Sequence, residues 1–418
     1  MDGDPAVEPE LDSFSLTFPL PYRVAFIAVL AVWGWGVNLH YLHRVGIDVP
    51  SLIRYPGRPS PHHPTHHLST YRLATVLSAI FVFSLLLFWI FTHRNPALVV
   101  AWDWLPLTYL IVLIALFVAP LKNLSHGGRS RFRATLRRIS LGGLAEAKDG
   151  KFGDIILADV LTSYARVFGD LYVSLCMFFR AGGSATARPD RACGGAVVVP
   201  LVLAAPSLIR LRQCLIEFAR VRRSPSPSSS SSSSSSLHRN SGWGGQHLAN
   251  ALKYFSAFPV VLTSALLRNW GGAEKSPAVF RAWVLACAVN SLYSFYWDVA
   301  KDWDLSLFAG ARERNAPSHA WGLRPRLCVG SPRVYYGVIA LDLVLRCTWS
   351  LKLSPHLDRV VDFESSIFVV EFLEVFRRWV WIFFRVETEW IRSQPAGPAL
   401  DEILLGDYQG KYEDEEDD

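Results

Sequence analysis

Residues 290–307, NSLYSFYWDVAKDWDLSL, end an apolar, aromatic-rich segment long enough to cross a membrane, yet they carry Asp298 and Asp302. On a helix, carboxylates four residues apart lie on one face, a single turn from each other. Like charges at that spacing destabilise a helix, and a carboxylate in hydrocarbon costs several kcal/mol. Cations must therefore reach this pair from elsewhere in the fold. Lys253, Arg346, Arg377 and Arg378 all sit inside other apolar segments and are the candidates.

Outward from that stretch the chain stays apolar. Its 418 residues are 51% hydrophobic and include 15 Trp, with a mean hydropathy of +0.22, which is too apolar for an ordinary soluble domain. Apolar runs of membrane-crossing length recur. We read an all-α, polytopic transmembrane helical bundle of about nine spans, at residues 24–41, 73–91, 97–121, 154–179, 196–211, 248–267, 279–299, 334–353 and 367–384.

Charge sets the expected orientation. The most basic stretch, KNLSHGGRSRFRATLRR at 122–138, follows the third span. Arg210, Arg212, Arg220, Arg222 and Arg223 follow the fifth, and Arg312, Arg314, Arg324 and Arg326 the seventh. Nine crossings put all of them on one side, cytosolic by the positive-inside tendency, with the N-terminus lumenal and the C-terminus cytosolic. The net charge of +6 thus informs orientation and points to no nucleic-acid partner.

The expected organisation is a disordered acidic start (1–20), a three-span membrane region (21–122) and a basic cytosolic loop (123–153). A second membrane domain follows (154–392), interrupted by a flexible Ser-rich insert (224–242), and an acidic cytosolic tail ends the chain (393–418). The acidic start does not read as a cleavable signal, so the first span is expected to direct membrane insertion. Cys176, Cys193, Cys214, Cys287, Cys328 and Cys347 show no paired spacing, and neither a disulfide framework nor a zinc site is expected.

Several charges inside spans could neutralise each other along one helix: Asp342 with Arg346, Glu374 with Arg378, Arg166 with Asp170. That bland reading does not absorb Asp298 and Asp302, nor Lys253, which has no acidic neighbour within a turn. Intramembrane charges in such number line a polar path or a substrate site. Arginines converging with a lysine suit a small oxyanion, because guanidinium forks match oxyanion geometry. The residues by themselves do not name phosphate.

Other signals are weaker. His43 and Asp48 form an H-x4-D spacing similar to that of membrane acyltransferases, without a matching partner motif, and we expect no enzyme activity. HHPTHH at 62–67 reads as a solvated loop before it reads as a metal site. The sequon at 123–125 falls on the expected cytosolic side. Tyr293, Tyr296, Trp297 and Trp303 read as an interfacial aromatic belt. No P-loop, dinucleotide fingerprint or Ser-His-Asp order occurs, so no cofactor is expected.

Longer strings resemble the EXS-domain proteins, which include phosphate exporters that double as retrovirus receptors and the short, fungal-type ER-retention-defective proteins of the Golgi. The strings are LADVLTSYARVFGDL (157–171), PSLIRLRQCL (206–215), HLANALKYFSAF (247–258), SLYSFYWDVAKDW (291–303), LDLVLRCTW (341–349) and LEVFRRWVWIFFRVETEW (373–390). They keep family order over residues 150–392, and WGWGVNLHYL extends the likeness toward the N-terminus.

The resemblance implies a phosphate path lined by Asp159, Lys253, Asp298, Asp302, Arg346, Arg377 and Arg378, with Trp349 as an aromatic gate. The large inositol-polyphosphate-sensing domain and first span of the long members have no counterpart here, which favours the short branch. Where the exporter reads WDLKMDWG this chain reads WDVAKDWD, so Lys301 is displaced about 100° around the helix and Asp304 stands in place of a glycine.

The implied function is transport of inorganic phosphate from the Golgi lumen to the cytosol, in support of glycosylation and of the retention of lumenal ER and Golgi proteins. The alternative is a non-transporting sorting factor that retains or recycles Golgi glycosyltransferases and ER residents. Expected partners are inorganic phosphate, the lipid bilayer, Golgi glycosyltransferases or sorting factors, and a second copy of the chain as a homodimer. Golgi membrane localisation with ER cycling goes with either reading.

Overall fold

The computed structural model describes residues 11–55, 66–121, 124–223, 244–270, 276–353 and 363–394. The Ser-rich insert, the acidic tail, most of HHPTHH and Asn123 of the sequon lie outside the described residues. Within them the chain is helical, without strands. The helices are α1 (Leu20–Arg44), α2 (His66–Thr92), α3 (Trp104–Val118), α4 (His126–Ser140), α5 (Lys151–Ser163) and α6 (Ala165–Phe179). They continue as α7 (Val198–Arg223), α8 (Gly245–Phe255), α9 (Ala257–Asn269), α10 (Pro277–Trp297), α11 (Pro332–Arg346) and α12 (Glu364–Ser393).

Six helical stretches are long and apolar enough to cross a membrane: Leu20–Arg44, His66–Thr92, Pro96–Val118, Val198–Arg223, Gly245–Asn269 and Pro277–Asp302. The three other expected spans are helical too, but α5–α6 and α12 carry several charges and α11 has only 15 residues. α5, α6 and α11 are each shorter than a membrane crossing, and α12 is long enough but carries its charges along most of its length. The most apolar helix faces outward: the hydrophobic stretch of α2 has a mean hydropathy of 2.5 and only 33% of it is buried. Phe83, Ile90, Ile111, Ile114, Leu201, Leu262 and Leu285 likewise point outward, as lipid-facing residues must where hydrocarbon replaces water.

α1 is the post around which the bundle packs. Its WGWG motif allows two close crossings: a β-carbon on Gly34 would lie 2.8 Å from Trp379 of α12, and one on Gly36 2.7 Å from Tyr71 of α2. Small residues permit such approaches, and van der Waals packing then holds helices that the hydrophobic effect cannot drive together in lipid. Tyr22 adds a hydroxyl bond to the Ser84 hydroxyl (2.7 Å), and Tyr109 one to the Leu77 carbonyl (3.0 Å).

Three expectations about the ends are corrected. Residues 13–17 form a short helix where disorder was expected. It is anchored because Arg23 donates to Ser15 (2.7 Å) and Glu364 (2.6 Å). The basic loop contains α4, where Arg129 is occupied with carbonyls, donating to Ala119 (2.6 Å), Leu121 (2.7 Å), Leu124 (2.6 Å) and Leu116. These caps satisfy the open end of α3 and oppose its dipole. Finally, Cys176 and Cys193 form a disulfide. Spacing concealed it, because the loop that folds Cys193 back onto α6 has no recurring pattern.

Leu20, Val173, Met177, Cys193 and Val199 cluster at the disulfide end, so the starts of α1 and α7 and the end of α6 share one side. At the opposite end Glu387 anchors a buried clasp. It accepts from Tyr335 (2.6 Å), the Val329 amide (3.0 Å), the Cys328 amide and Arg324, while Arg324 also donates to Thr388 (2.6 Å) and the Trp303 carbonyl. Arg324, expected in a solvated loop, is therefore buried.

Candidate functional site

Between those ends several helices break at one level. α5 gives way to α6 at Tyr164, α8 to α9 at Ser256, α11 ends at Arg346, and α10 passes into a π-helical turn at Asp298–Asp302. Breaks at membrane depth are tolerated only where the freed backbone is buried in protein or lines a cavity, and π turns concentrate at functional sites. Here the freed groups are met: Ser256 donates to the Lys253 carbonyl (2.7 Å) and Ser291 to the Arg346 carbonyl (3.0 Å).

The break residues carry the charges. Asp298, fully buried, is the hub. Its Oδ1 accepts from Lys253 Nζ (2.9 Å), and its Oδ2 from Arg377 (3.4 Å) and Arg346. Asp302 accepts from Lys253 at 3.3 Å. Arg346 also pairs with Asp342 (3.1 Å), and Arg377 with Asp342 (2.9 Å) and Glu374 (2.6 Å). Each of these ions costs several kcal/mol to desolvate, which only multiple close partners offset.

Asp159 belongs to an adjoining set. It accepts from Arg210 (2.6 Å) and from the Tyr254 hydroxyl, and Arg210 also donates to Gln213 (2.6 Å). The Tyr254 ring lies between Arg210 (4.8 Å) and Lys253 (5.4 Å), joining the two sets. Arg210 was expected on the cytosolic face. α7 runs on to Arg223 as one helix, which leaves Arg210 inside the bundle.

Arg378 differs from every other cation here. Only 5% exposed, it donates to the hydroxyls of Ser163 (2.9 Å) and Thr162 (3.4 Å) and lies over the Trp381 ring (4.6 Å). Its Nη1 has no partner, and among the described residues no carboxylate pairs with it. The expected Glu374–Arg378 pair is replaced by Glu374–Arg377, three residues apart; Ser163 stands between, donating to Glu374 at 2.6 Å. Arg166 likewise does not pair with Asp170, whose ion pair is to Arg191 at 3.9 Å.

The structure thus brings Lys253, Asp298, Asp302, Arg346 and Arg377 into direct contact, with Arg378 and Asp159 alongside. The charges close on one another: the gap beside Asp342 and Arg377 is too small to admit a water molecule. Trp349 sits in the turn after α11, edge-on to Trp283 (6.2 Å), with its indole N–H buried and unpartnered. Lys301 is exposed. Asp48 accepts from Ser51 at the start of a short helix, a local capping role that accounts for its spacing from His43. No cluster of metal-ligating side chains occurs among the described residues.

Toward the disulfide end, Glu364 gathers Arg23 (2.6 Å) and Arg191 (2.6 Å). Burial alone would lower the Arg191 pKa, but the bond to Glu364 and the charges of Asp170 and Glu364 raise it above the ordinary value. Sequence reasoning missed Arg191, Arg210, Tyr254, Ser163 and Arg385. Of these all but Arg191 had a usable signal, as polar residues inside the strings quoted above.

Six helices of membrane-crossing length around a buried, charge-lined centre fit an integral membrane protein with a polar interior. The pattern of the EXS family matches residues 18–391, and the chain belongs to that family. It is 31% identical over 386 residues to Protein ERD1 homolog 1 of Schizosaccharomyces pombe, covering 92% of this chain and 94% of that protein. Protein ERD1 of Kluyveromyces lactis is 30% identical over 306 residues (71% and 72%). Solute carrier family 53 member 1 of Mus musculus is 27% identical over 275 residues, spanning 61% of this chain and 34% of that longer protein.

Proposed function

We propose that this chain moves inorganic phosphate across the Golgi membrane, from lumen to cytosol, and so supports glycosylation and the retention of lumenal ER and Golgi proteins. The observation that carries this reading is Arg378: a buried guanidinium with an unpartnered N–H, in a cluster where the other cations are already held by carboxylates. An entering oxyanion supplies the direct partner that the Arg378 Nη1 lacks. It then competes with Asp298 and Asp302 for Lys253, Arg346 and Arg377, and those carboxylates return as it leaves. A cluster that can re-pair internally stays stable without the anion and does not retain it.

Orientation draws support from two independent features. A disulfide forms in oxidising compartments, which favours a lumenal position for Cys176, Cys193 and the start of α1. Arginine-rich α4 and the end of α7 would then be cytosolic. The solute-carrier name of the murine relative supports a transport role as such. Uptake of labelled phosphate by proteoliposomes is the test, with Arg378→Ala and Asp302→Ala as controls. Equal flux in all three preparations removes the assignment and leaves the sorting role.

A further inference from the structure

α12 carries a regularity that the central cluster does not use. Glu364, Glu371, Arg378, Arg385 and Arg392 follow one another at intervals of seven, placing them on one slowly winding face with steps of about 10.5 Å. Carboxylates hold the disulfide end of this stripe and guanidinium groups the opposite end. Exposure rises along the guanidinium half, from 5% at Arg378 and 9% at Arg385 to 39% for the Arg392 side chain.

The segment from Asp298 to Asp304 runs beside that half and offers carboxylates in the same order. Asp298 meets Arg377, the neighbour of Arg378 and not itself on the stripe, at 3.4 Å; Asp302 meets Arg385 at 3.9 Å, and Asp304 meets Arg392 at 3.1 Å. Asp304 does so from a left-handed backbone conformation (φ 54°), where a β-carbon is disfavoured and the glycine of the exporter motif would be at ease. Asp302 is the branch point: its Oδ2 lies 3.3 Å from Lys253 and its Oδ1 3.9 Å from Arg385. Arg385 has one closer carboxylate, Glu389 at 3.1 Å, which is itself 34% exposed, and its guanidinium lies 5.0 Å from the Phe152 ring.

We propose that Arg385 and Arg392 form a second binding station for the transported oxyanion, beyond the central cluster, and that Asp302 hands the anion over. The proposal rests on the transport reading above. An anion arriving at Arg378 and Lys253 competes with Asp302 for the ammonium group. Asp302, already turned toward Arg385, closes its 3.9 Å contact into a direct pair. Transfer of the anion to Arg385 reverses the exchange, because Asp302 then returns to Lys253 and seals the cluster behind it. Arg392, the most hydrated of the three arginines, passes the anion to solvent. Guanidinium groups suit both steps, since their paired N–H groups grip a tetrahedral oxyanion while water still reaches its other face.

The test uses the full chain, wild type and variants, with inorganic phosphate as the probe in two measurements: equilibrium binding in detergent and flux in proteoliposomes. Arg385→Gln is expected to keep phosphate affinity within about threefold while flux falls about tenfold, and Arg385→Lys to recover part of the flux. Wild-type flux in Arg385→Gln overturns the station while leaving the transport reading intact. A parallel fall in binding, flux and thermal stability, not relieved by Arg385→Lys, also overturns it and assigns Arg385 a structural role. A wild-type protein that neither binds nor moves phosphate removes both proposals. Should Arg385→Gln fail to fold, exposed Arg392→Gln carries the same test with an expected fall of about threefold; unchanged flux there overturns the station.

Discussion

Two buried charge clusters lie along α12 and behave differently. Around Glu387 every strong donor has a place: Arg324, Tyr335 and two backbone amides converge on one carboxylate, which is completely enclosed. Around Asp298 the pairing is just as dense, yet one cation, Arg378, is left over with an unpartnered N–H. A closed set of partners holds two elements together, here the segment before α11 and the second half of α12. On the proposed function, a set with one member unsatisfied is held ready for a ligand, because the cost of the bare group is recovered when the ligand arrives.

The difference can be broken by mutation. The largest expected effect is at the clasp: Glu387→Ala leaves Arg324 buried without a counter-ion and should cost about 3–5 kcal/mol. Unfolding in detergent measures this, and a loss under 1 kcal/mol would mean that the clasp is no structural anchor. At the central cluster the expectation is inverted. Arg378→Ala should lower phosphate flux about 100-fold while costing less stability than the clasp variant, because Arg378 makes no direct ion pair and its removal strands no buried carboxylate. A large stability loss with residual flux would make Arg378 a strut. The smallest effect calibrates the other two: Tyr22→Phe, which deletes a bond in the apolar α1–α2 contact, should cost about 1 kcal/mol and leave flux unchanged.

Legibility in the sequence divides along the same line. Asp298 and Asp302 stood out because an aromatic, apolar context makes paired carboxylates costly, and that cost required distant cations; Lys253, Arg346 and Arg377 supplied them. Partner choice was harder to read. Glu374 can reach residue 377 or 378, and only the position of Ser163 on a remote helix decides between them. Arg210 was assigned to solvent because it ends an apolar run, where a basic residue ordinarily marks the membrane edge, and Arg324 because it lies in an arginine-rich connecting segment. α7 in fact continues, and the loop carrying Arg324 folds back onto α12. Arg385 was hidden at the end of an aromatic stretch, where a cation reads as reaching for the interface. The Cys176–Cys193 bond depends on how a loop returns, which spacing alone does not encode.

The seven-residue stripe of α12 also bears on what changes this helix can accept. A substitution alters one station, but a residue gained or lost between Glu364 and Arg392 would turn every later side chain by about 100°. Arginines that face the interior would then confront acyl chains, and aromatic residues would swing into the charged centre. Length variation among relatives should therefore gather in the connecting segments, while this helix keeps its residue count.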